Sequence, residues 1–269
     1  MIKLACFDVD DTLYDSNTGS VYSSSVEAIK QMKKNGIKIA IVTGRPHYAL
    51  EDKIKDICPD YVIGSNGQVV IKENSIISCT NLEPKDVEYV NSICSEKKCP
   101  LIFKFIDSCG CNPYVDQFTW NKRIKNSDEM FNFVSDNNQL HKERNVQNLI
   151  IKCDEKTKHL IETKVPYVEF VHAVNGEYDM NLKGYNKSTG IEVILKDLSI
   201  EWDDVFAIGD NENDIDMVKK AGCGCAVGGA VETLKLVAKH VSLNIEEDGV
   251  CILLKSILEG EGYENCNSM

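Results

Sequence analysis

Residues 2–12 read Ile2-Lys3-Leu4-Ala5-Cys6-Phe7-Asp8-Val9-Asp10-Asp11-Thr12, a short apolar run that stops abruptly in acid. Such a run fits a strand buried on both faces, as the strands of parallel sheets are. Working outward, Ser23-Ser24-Ser25 is a cap signal for a helix with Val26, Ile29 and Met32 on one face and Gly36 as its stop. Residues 37–42 repeat the apolar run and end in Thr43-Gly44-Arg45-Pro46. Strand, helix, strand, each strand closed by polar or glycine residues, is the doubly wound α/β pattern. Ligands of such sheets sit outside the carboxyl ends of the strands.

The pattern returns late in the chain. Residues 204–208 read as a strand closing in Gly209-Asp210, followed by a helix over 214–221 and a strand over 224–227; helical stretches over 231–238 and 250–258 complete it. Between these blocks the texture changes. A helix opens at Pro84 with Val87, Val90 and Ile93 in phase. Strands are predicted over 101–106, 149–153, 168–173 and 178–182, with helices near 128–134 and over 156–164. The organisation predicted is a parallel-sheet α/β core made of residues 1–83 and 185–269, interrupted by an inserted α+β domain over 84–184.

The 269 residues are 43% hydrophobic and 27% charged, the balance of a globular chain able to bury a core without staples. With 30 basic against 42 acidic residues the net charge is −12, which opposes binding to nucleic acid or anionic membrane. A small anionic ligand therefore needs a local positive site. Three carboxylates by residue 11 conflict with a secretory signal, so the expected setting is the reducing cytoplasm, with the twelve cysteines as free thiols. Cys109-Gly110-Cys111 and Cys223-Gly224-Cys225 are candidate soft-metal ligands, but neither has a second pair at zinc spacing or a nearby histidine.

Asp8 and Asp10 lie two positions apart at a strand end, which predicts carboxylates projecting to one side. One could attack while the other handles protons, because a like-charged neighbour pushes one pKa upward; the plainer alternative is an acidic turn with capping side chains. A second cluster, Gly209-Asp210-Asn211-Glu212-Asn213-Asp214, follows another predicted parallel strand. If the two strands are neighbours, Asp8, Asp10, Asp210 and Asp214 converge. Oxygen ligands without His or Cys select a hard cation such as Mg²⁺. Thr43 and Gly44 suit a phosphate, with a hydroxyl, an unhindered N–H and the start of a following helix; the alternative is a plain turn with Pro46 opening that helix. Lys187 is either a fixed positive charge or one solvated lysine among many. Asn66-Gly67 reads as a hairpin turn.

In order and spacing, Asp8-Val9-Asp10-Asp11-Thr12, Thr43-Gly44-Arg45-Pro46, Ser65-Asn66-Gly67, Lys187 and Gly209-Asp210 with Asn213-Asp214 resemble the haloacid dehalogenase superfamily. The closer likeness is to its Cof-like phosphatase branch (subfamily IIB), which carries a cap between the second and third motifs. Asp11 and Ser188 stand where that branch commonly has glycine. The resemblance implies a Rossmann-like core and a Mg²⁺-dependent phosphatase of small phosphorylated metabolites, sugar phosphates or similar monoesters, working through an aspartyl-phosphate. Asp8 would be the nucleophile and Asp10 the acid and then the base. Thr43, Gly44, Lys187 and Asn213 would hold the phosphoryl group, and Arg45 and Asn66 would meet the substrate. Asp8, the Asp10 main-chain carbonyl and Asp210 would bind the metal, supported by Asp214. The competing expectations are a phosphotransferase or sugar-phosphate mutase of the same superfamily, and a non-catalytic metabolite-binding module.

Overall fold

The computed structural model describes residues 1–115, 133–135, 140–172 and 176–259. They form two compact units, one of Met1–Arg45, Leu50–Ser78 and the chain from Asn186 onward, the other of Pro46–Ala49 and Cys79–Tyr185.

The first unit is built on an eight-stranded sheet. Its order is His240–Val241, Cys223–Ala226, Val205–Gly209, Leu4–Phe7, Lys38–Val42, Tyr61–Gly64, Val69–Lys72 and Ser75–Cys79. The first six strands are parallel. Val69–Lys72 runs antiparallel to Tyr61–Gly64. Every residue of Leu4–Phe7 and Val205–Gly209 is buried, which is why these strands are written as unbroken apolar runs. Helices Ser23–Lys34, Lys187–Leu198, Ile215–Lys220 and Gly249–Glu259 complete this α/β core; Ile29, Met32, Ile191, Ile194, Met217, Leu253 and Leu254 pack into one cluster with the strands. No helix among the described residues is long and apolar enough to cross a membrane.

Several local expectations need correction. Ser23 to Ser25 do not cap their helix but form its first turn, preceded by Tyr22, which makes no side-chain cap bond. Ser24 Oγ instead donates to Asp248 Oδ1 at 2.6 Å. Past Pro46 there is only a 3₁₀ turn, His47–Ala49, and a four-residue helix, Asp52–Lys55, too short to bring a substantial helix dipole to Thr43-Gly44. The helix expected over 214–221 begins as a 3₁₀ turn, Glu212–Asp214, and the one over 231–238 shrinks to Glu232–Lys235.

The second unit carries a six-stranded sheet. Its order is Phe133–Ser135, Cys109–Cys111, Leu101–Lys104, Asn148–Lys152, Glu177–Leu182 and Val168–His172, antiparallel except for its first pair. Helix Pro84–Lys97 and strand residues Leu101, Phe103, Leu149, Ile151 and Met180 share its main apolar cluster. Of the helix expected near 128–134, residues 128–132 lie outside the described residues and Phe133–Ser135 is a strand.

Both Cys-Gly-Cys sequences are strand segments. Cys223, Cys225, Cys109 and Cys111 are buried as small apolar side chains.

Candidate active site

Parallel pairing places the carboxyl ends of Val205–Gly209, Leu4–Phe7, Lys38–Val42 and Tyr61–Gly64 side by side. The residues just beyond them are Asp210, Asp8, Thr43 and Ser65-Asn66. Asp8 extends the ladder by one bond, donating its N–H to the Ile208 carbonyl at 3.0 Å, and Thr43 does the same to Ile63 at 2.9 Å.

Lys187, which its residue type alone would place in solvent, is the first residue of helix Lys187–Leu198 and is only 1% exposed. The turn before that helix is set by a capping box: Asn186 Oδ1 accepts from the Thr189 N–H, while Thr189 Oγ1 accepts from the Asn186 N–H. Lys187 Nζ donates to Asp8 Oδ1 at 2.5 Å and to Asp214 Oδ1 at 2.6 Å. The second oxygen of Asp214 accepts the Asp210 and Asn211 N–H groups, both at 3.1 Å, so Asp214 ties the lysine to the loop that carries Asp210.

Asp8, Asp210 and Asp214 have carboxylate oxygens within 4.8 Å of one another. Three acids around one lysine leave an excess of negative charge in a mostly buried place. Burial, reinforced by Asp214, raises the Asp8 pKa well above the carboxylate range despite the opposing field of Lys187. Burial and then Asp214 push Asp210 up to about 6. Burial alone would lower the Lys187 pKa, but Asp214 and Asp8 outweigh it and hold the ammonium more firmly than in a free lysine. A dense, oxygen-only donor set with surplus negative charge fits a hard divalent cation of the Mg²⁺ type.

The carboxylate of Asp10 does not join this group, contrary to the strand-alternation argument. The strand ends at Phe7, so alternation ceases before Asp10; Asp11 follows in the left-handed region with φ 53°. The positive φ at Asp11 also accounts for the glycine that the family resemblance leads one to expect there. Asp10 turns instead to Arg45, which grips both carboxylate oxygens, the Nε bond measuring 2.9 Å. Arg45 Nη1 also donates to Glu51 Oε1 at 2.6 Å, and its guanidinium lies 5.0 Å from the centre of the Tyr14 ring. Neither Glu51 nor Tyr14 was indicated by the sequence reading; neither belongs to a local motif.

The remaining candidates form a second small group. Thr43 is buried, and its Oγ1 accepts the Arg45 N–H at 3.1 Å. Asn66 lies in the turn between antiparallel strands, as expected, with both Ser65 and Asn66 at φ 52°. Its Oδ1 accepts from Asn213 Nδ2 at 3.2 Å, and a β-carbon on Gly44 would stand 3.1 Å from the same oxygen. Thus Gly44, Asn66 and Asn213 are neighbours although they are far apart in the chain. Thr12 adds a contact that sequence reasoning missed, its hydroxyl donating to Asp210 Oδ1 at 3.4 Å.

This arrangement has many counterparts. Residues 5–254 match the haloacid dehalogenase-like hydrolase family. Phosphoglycolate phosphatase 1 of Saccharolobus solfataricus is 27% identical over 266 residues, which cover 97% of this chain and 98% of that protein. Among solved structures, the HAD subclass IIB sugar phosphatase BT4131 superposes with a TM-score of 0.81 at 25% identity, covering 95% of this chain and 98% of its own. BT1666 from Bacteroides thetaiotaomicron, a phosphatase of the same superfamily, gives 0.81 at 26% identity, with 95% and 94% coverage. Because the match runs from the first strand to the last described helix, the chain belongs to the haloacid dehalogenase-like hydrolases, in their Cof-like phosphatase branch.

Proposed function

We propose that the protein hydrolyses small phosphomonoesters, sugar phosphates among them, through a phosphoryl group carried transiently on Asp8. The observation that supports this most directly is the Asp8–Lys187–Asp214 chain of buried ion pairs at a parallel strand end, with Asp210 beside it. On this reading Asp8 attacks phosphorus, and the leaving alcohol takes a proton from Asp10. Asp10 then accepts a proton from the water that cleaves the acyl phosphate. Lys187 and Thr43 neutralise and orient the phosphoryl oxygens, while Gly44 and the Asn66–Asn213 pair frame the entering group. Arg45 holds the half-buried Asp10 side chain in place until the substrate phosphate competes for it. Asp8 and Asp210, with the Asp10 main-chain carbonyl, would hold Mg²⁺, and Asp214 would keep that set in register. The cation would supply charge neutralisation for a phosphate dianion among the acids.

Preference among substrates is assigned to residues 84–184. One face of their sheet carries a polar group uncommon for a buried place: Lys104 paired with Asp179 at 2.8 Å, and Asn148 donating to Asn181 at 3.0 Å. Asn148 Oδ1 has no hydrogen-bond partner. Such a set of polar groups suits hydroxyl-rich leaving groups.

A panel of phosphomonoesters assayed for phosphate release with and without Mg²⁺ tests the function. A single-turnover experiment with labelled substrate should leave label on residue 8 in an acid-stable, hydroxylamine-sensitive form. Release of phosphate without any label on the protein would remove the Asp8 intermediate, and no release from any ester would remove the phosphatase reading.

A further inference from the structure

Strands Leu101–Lys104 and Asn148–Lys152 run antiparallel, with Leu101 opposite Ile151 and Ile102 opposite Ile150. The ladder continues past the strand end, since the Lys152 N–H donates to the Pro100 carbonyl at 3.1 Å. Carried one step beyond the paired residues, the same register would set Cys99 opposite Cys153. Lys152 and Pro100 occupy a hydrogen-bonded position, so a continued ladder would set the two cysteines at a non-hydrogen-bonded one, a position at which opposed Cα atoms stand about 4.5 Å apart. That spacing lies within the roughly 4.4–6.8 Å that a disulfide spans.

Both thiols are half-buried and pack against the apolar cluster that holds Leu101, Phe103, Leu149 and Ile151. The backbone of Cys99 is pinned on two sides: its N–H donates to the Cys94 carbonyl and its own carbonyl accepts from Asn112 Nδ2, both at 2.8 Å. Cys94, on helix Pro84–Lys97, is fully buried in the same cluster.

We propose that Cys99 and Cys153 are a modification site, a cross-strand dithiol that a low-molecular-weight disulfide such as oxidised glutathione converts to an intrachain disulfide. The Cys99 thiolate attacks one sulfur of the oxidant, expelling one glutathione thiolate. The Cys153 thiolate then attacks Cys99 Sγ in the mixed disulfide and expels the second. The two protons lost by the protein pass to the two glutathione molecules, so the protein is oxidised by two electrons and the oxidant reduced by two. Cys99 attacks first because its ionisation is the less hindered. Burial raises its pKa and Asp154 adds to that, but Lys97 opposes them, whereas burial and the neighbouring Cys99 push Cys153 up to about 12. The bond would close a long loop within residues 79–185 and restrict the unfolded chain.

The full-length protein is incubated with oxidised glutathione at pH 8 and quenched in acid. Remaining thiols are then blocked with iodoacetamide, and a tryptic digest is read by mass spectrometry. Cleavage after Lys98, Lys104, Lys152 and Lys156 leaves the two thiols on separate single-cysteine peptides, 99–104 and 153–156. The expected result is that these two peptides are joined, that dithiothreitol separates them, and that the oxidised protein melts about 5 °C higher than the reduced one. In Cys153→Ser, peptide 99–104 should carry glutathione and the melting shift should vanish. Recovery of the two wild-type peptides unlinked, or of either linked to the Cys94 peptide 86–97, overturns the proposal; the wild-type digest decides this even if the variant does not fold.

Discussion

A β-carbon placed on Gly209 would lie 2.3 Å from Cγ of Asp214 and 2.5 Å from its Oδ2. Strand Val205–Gly209 therefore ends in glycine because a carboxylate needs that space, and the same carboxylate holds Lys187 and the Asp210 N–H. Gly209→Ala should displace Asp214. Overpacking of this kind costs about 1–3 kcal/mol, and phosphate release should fall at least about a hundredfold with the lysine no longer fixed. Gly224→Ala is the control. Its β-carbon would meet the Val218 carbonyl oxygen at 1.9 Å, away from the acids, so it should lower the melting temperature while leaving the rate per folded molecule near wild type.

Asp8→Asn keeps the shape of the side chain and removes the attacking charge. Turnover should fall by roughly 10⁴ to 10⁶, as expected when an essential nucleophile is lost. Circular dichroism should show an unchanged fold, because burying the Asp8 charge is itself a cost to the folded state. Near-native activity in a contamination-free preparation would contradict the nucleophile assignment.

Removing divalent cations should silence the enzyme and returning Mg²⁺ should restore it, with Ca²⁺ restoring little. The acids also predict an effect on stability. Because the folded-state pKa of Asp210 is raised to about 6, the metal-free fold binds a proton there that the unfolded chain gives up near pH 4. This group's penalty is full above pH 6 and fades as pH falls towards 4. Asp210→Asn should therefore melt higher than the wild type without metal at pH 7.5, with the gap closing by pH 4.5. Mg²⁺ at about a hundred times its dissociation constant should raise the wild-type melting temperature by about 5–10 °C and that of Asp210→Asn much less.

Asp60 behaves in the opposite sense. It staples two parallel strands, Oδ2 accepting the Ile39 N–H and Oδ1 accepting from Lys38 Nζ, both at 3.0 Å. Burial works against its charge, but the Ile39 N–H and the two lysines, Lys38 and Lys33, prevail and its pKa is lowered. Its contribution is thus complete above the unfolded-chain value near 4 and is lost as pH drops through the lower folded value. Asp60→Asn should cost about 1–2 kcal/mol in urea titrations at pH 7, and the difference should shrink at pH 3.

What was legible in the sequence followed from burial on both faces. Leu4–Phe7 and Val205–Gly209 are apolar throughout, so their ends, and with them Asp8 and Asp210, could be located by reading alone. Ser75–Cys79 is largely exposed, and its hairpin turns at Glu73-Asn74, both at positive φ yet without the glycine that announces such turns. His240–Val241 has two residues and no period to detect. The site divides the same way. Nothing near Lys187 separates it from other lysines; its burial is fixed by Asp8, 179 positions away. Glu51 matters only because Arg45 reaches it, and the Asp10 side chain departs from strand alternation because strand geometry stops at Phe7.

The sheet order also sets a timetable for synthesis. Leu4–Phe7 finds one neighbour, Lys38–Val42, almost as soon as it is made, but its other neighbour is Val205–Gly209. At about 5–20 residues per second, that edge waits roughly 10–40 s for its partner. During this interval an apolar strand offers unpaired backbone groups to any passing chain. The strands of the second sheet, by contrast, all lie between residues 101 and 182 and are complete before Val205 is added. Limited proteolysis of stalled chains ending near residue 200 should cut within 1–78 sites that the full chain protects. A ribosome halted before residue 205 thus leaves behind a chain whose earliest segment has had no chance to become safe.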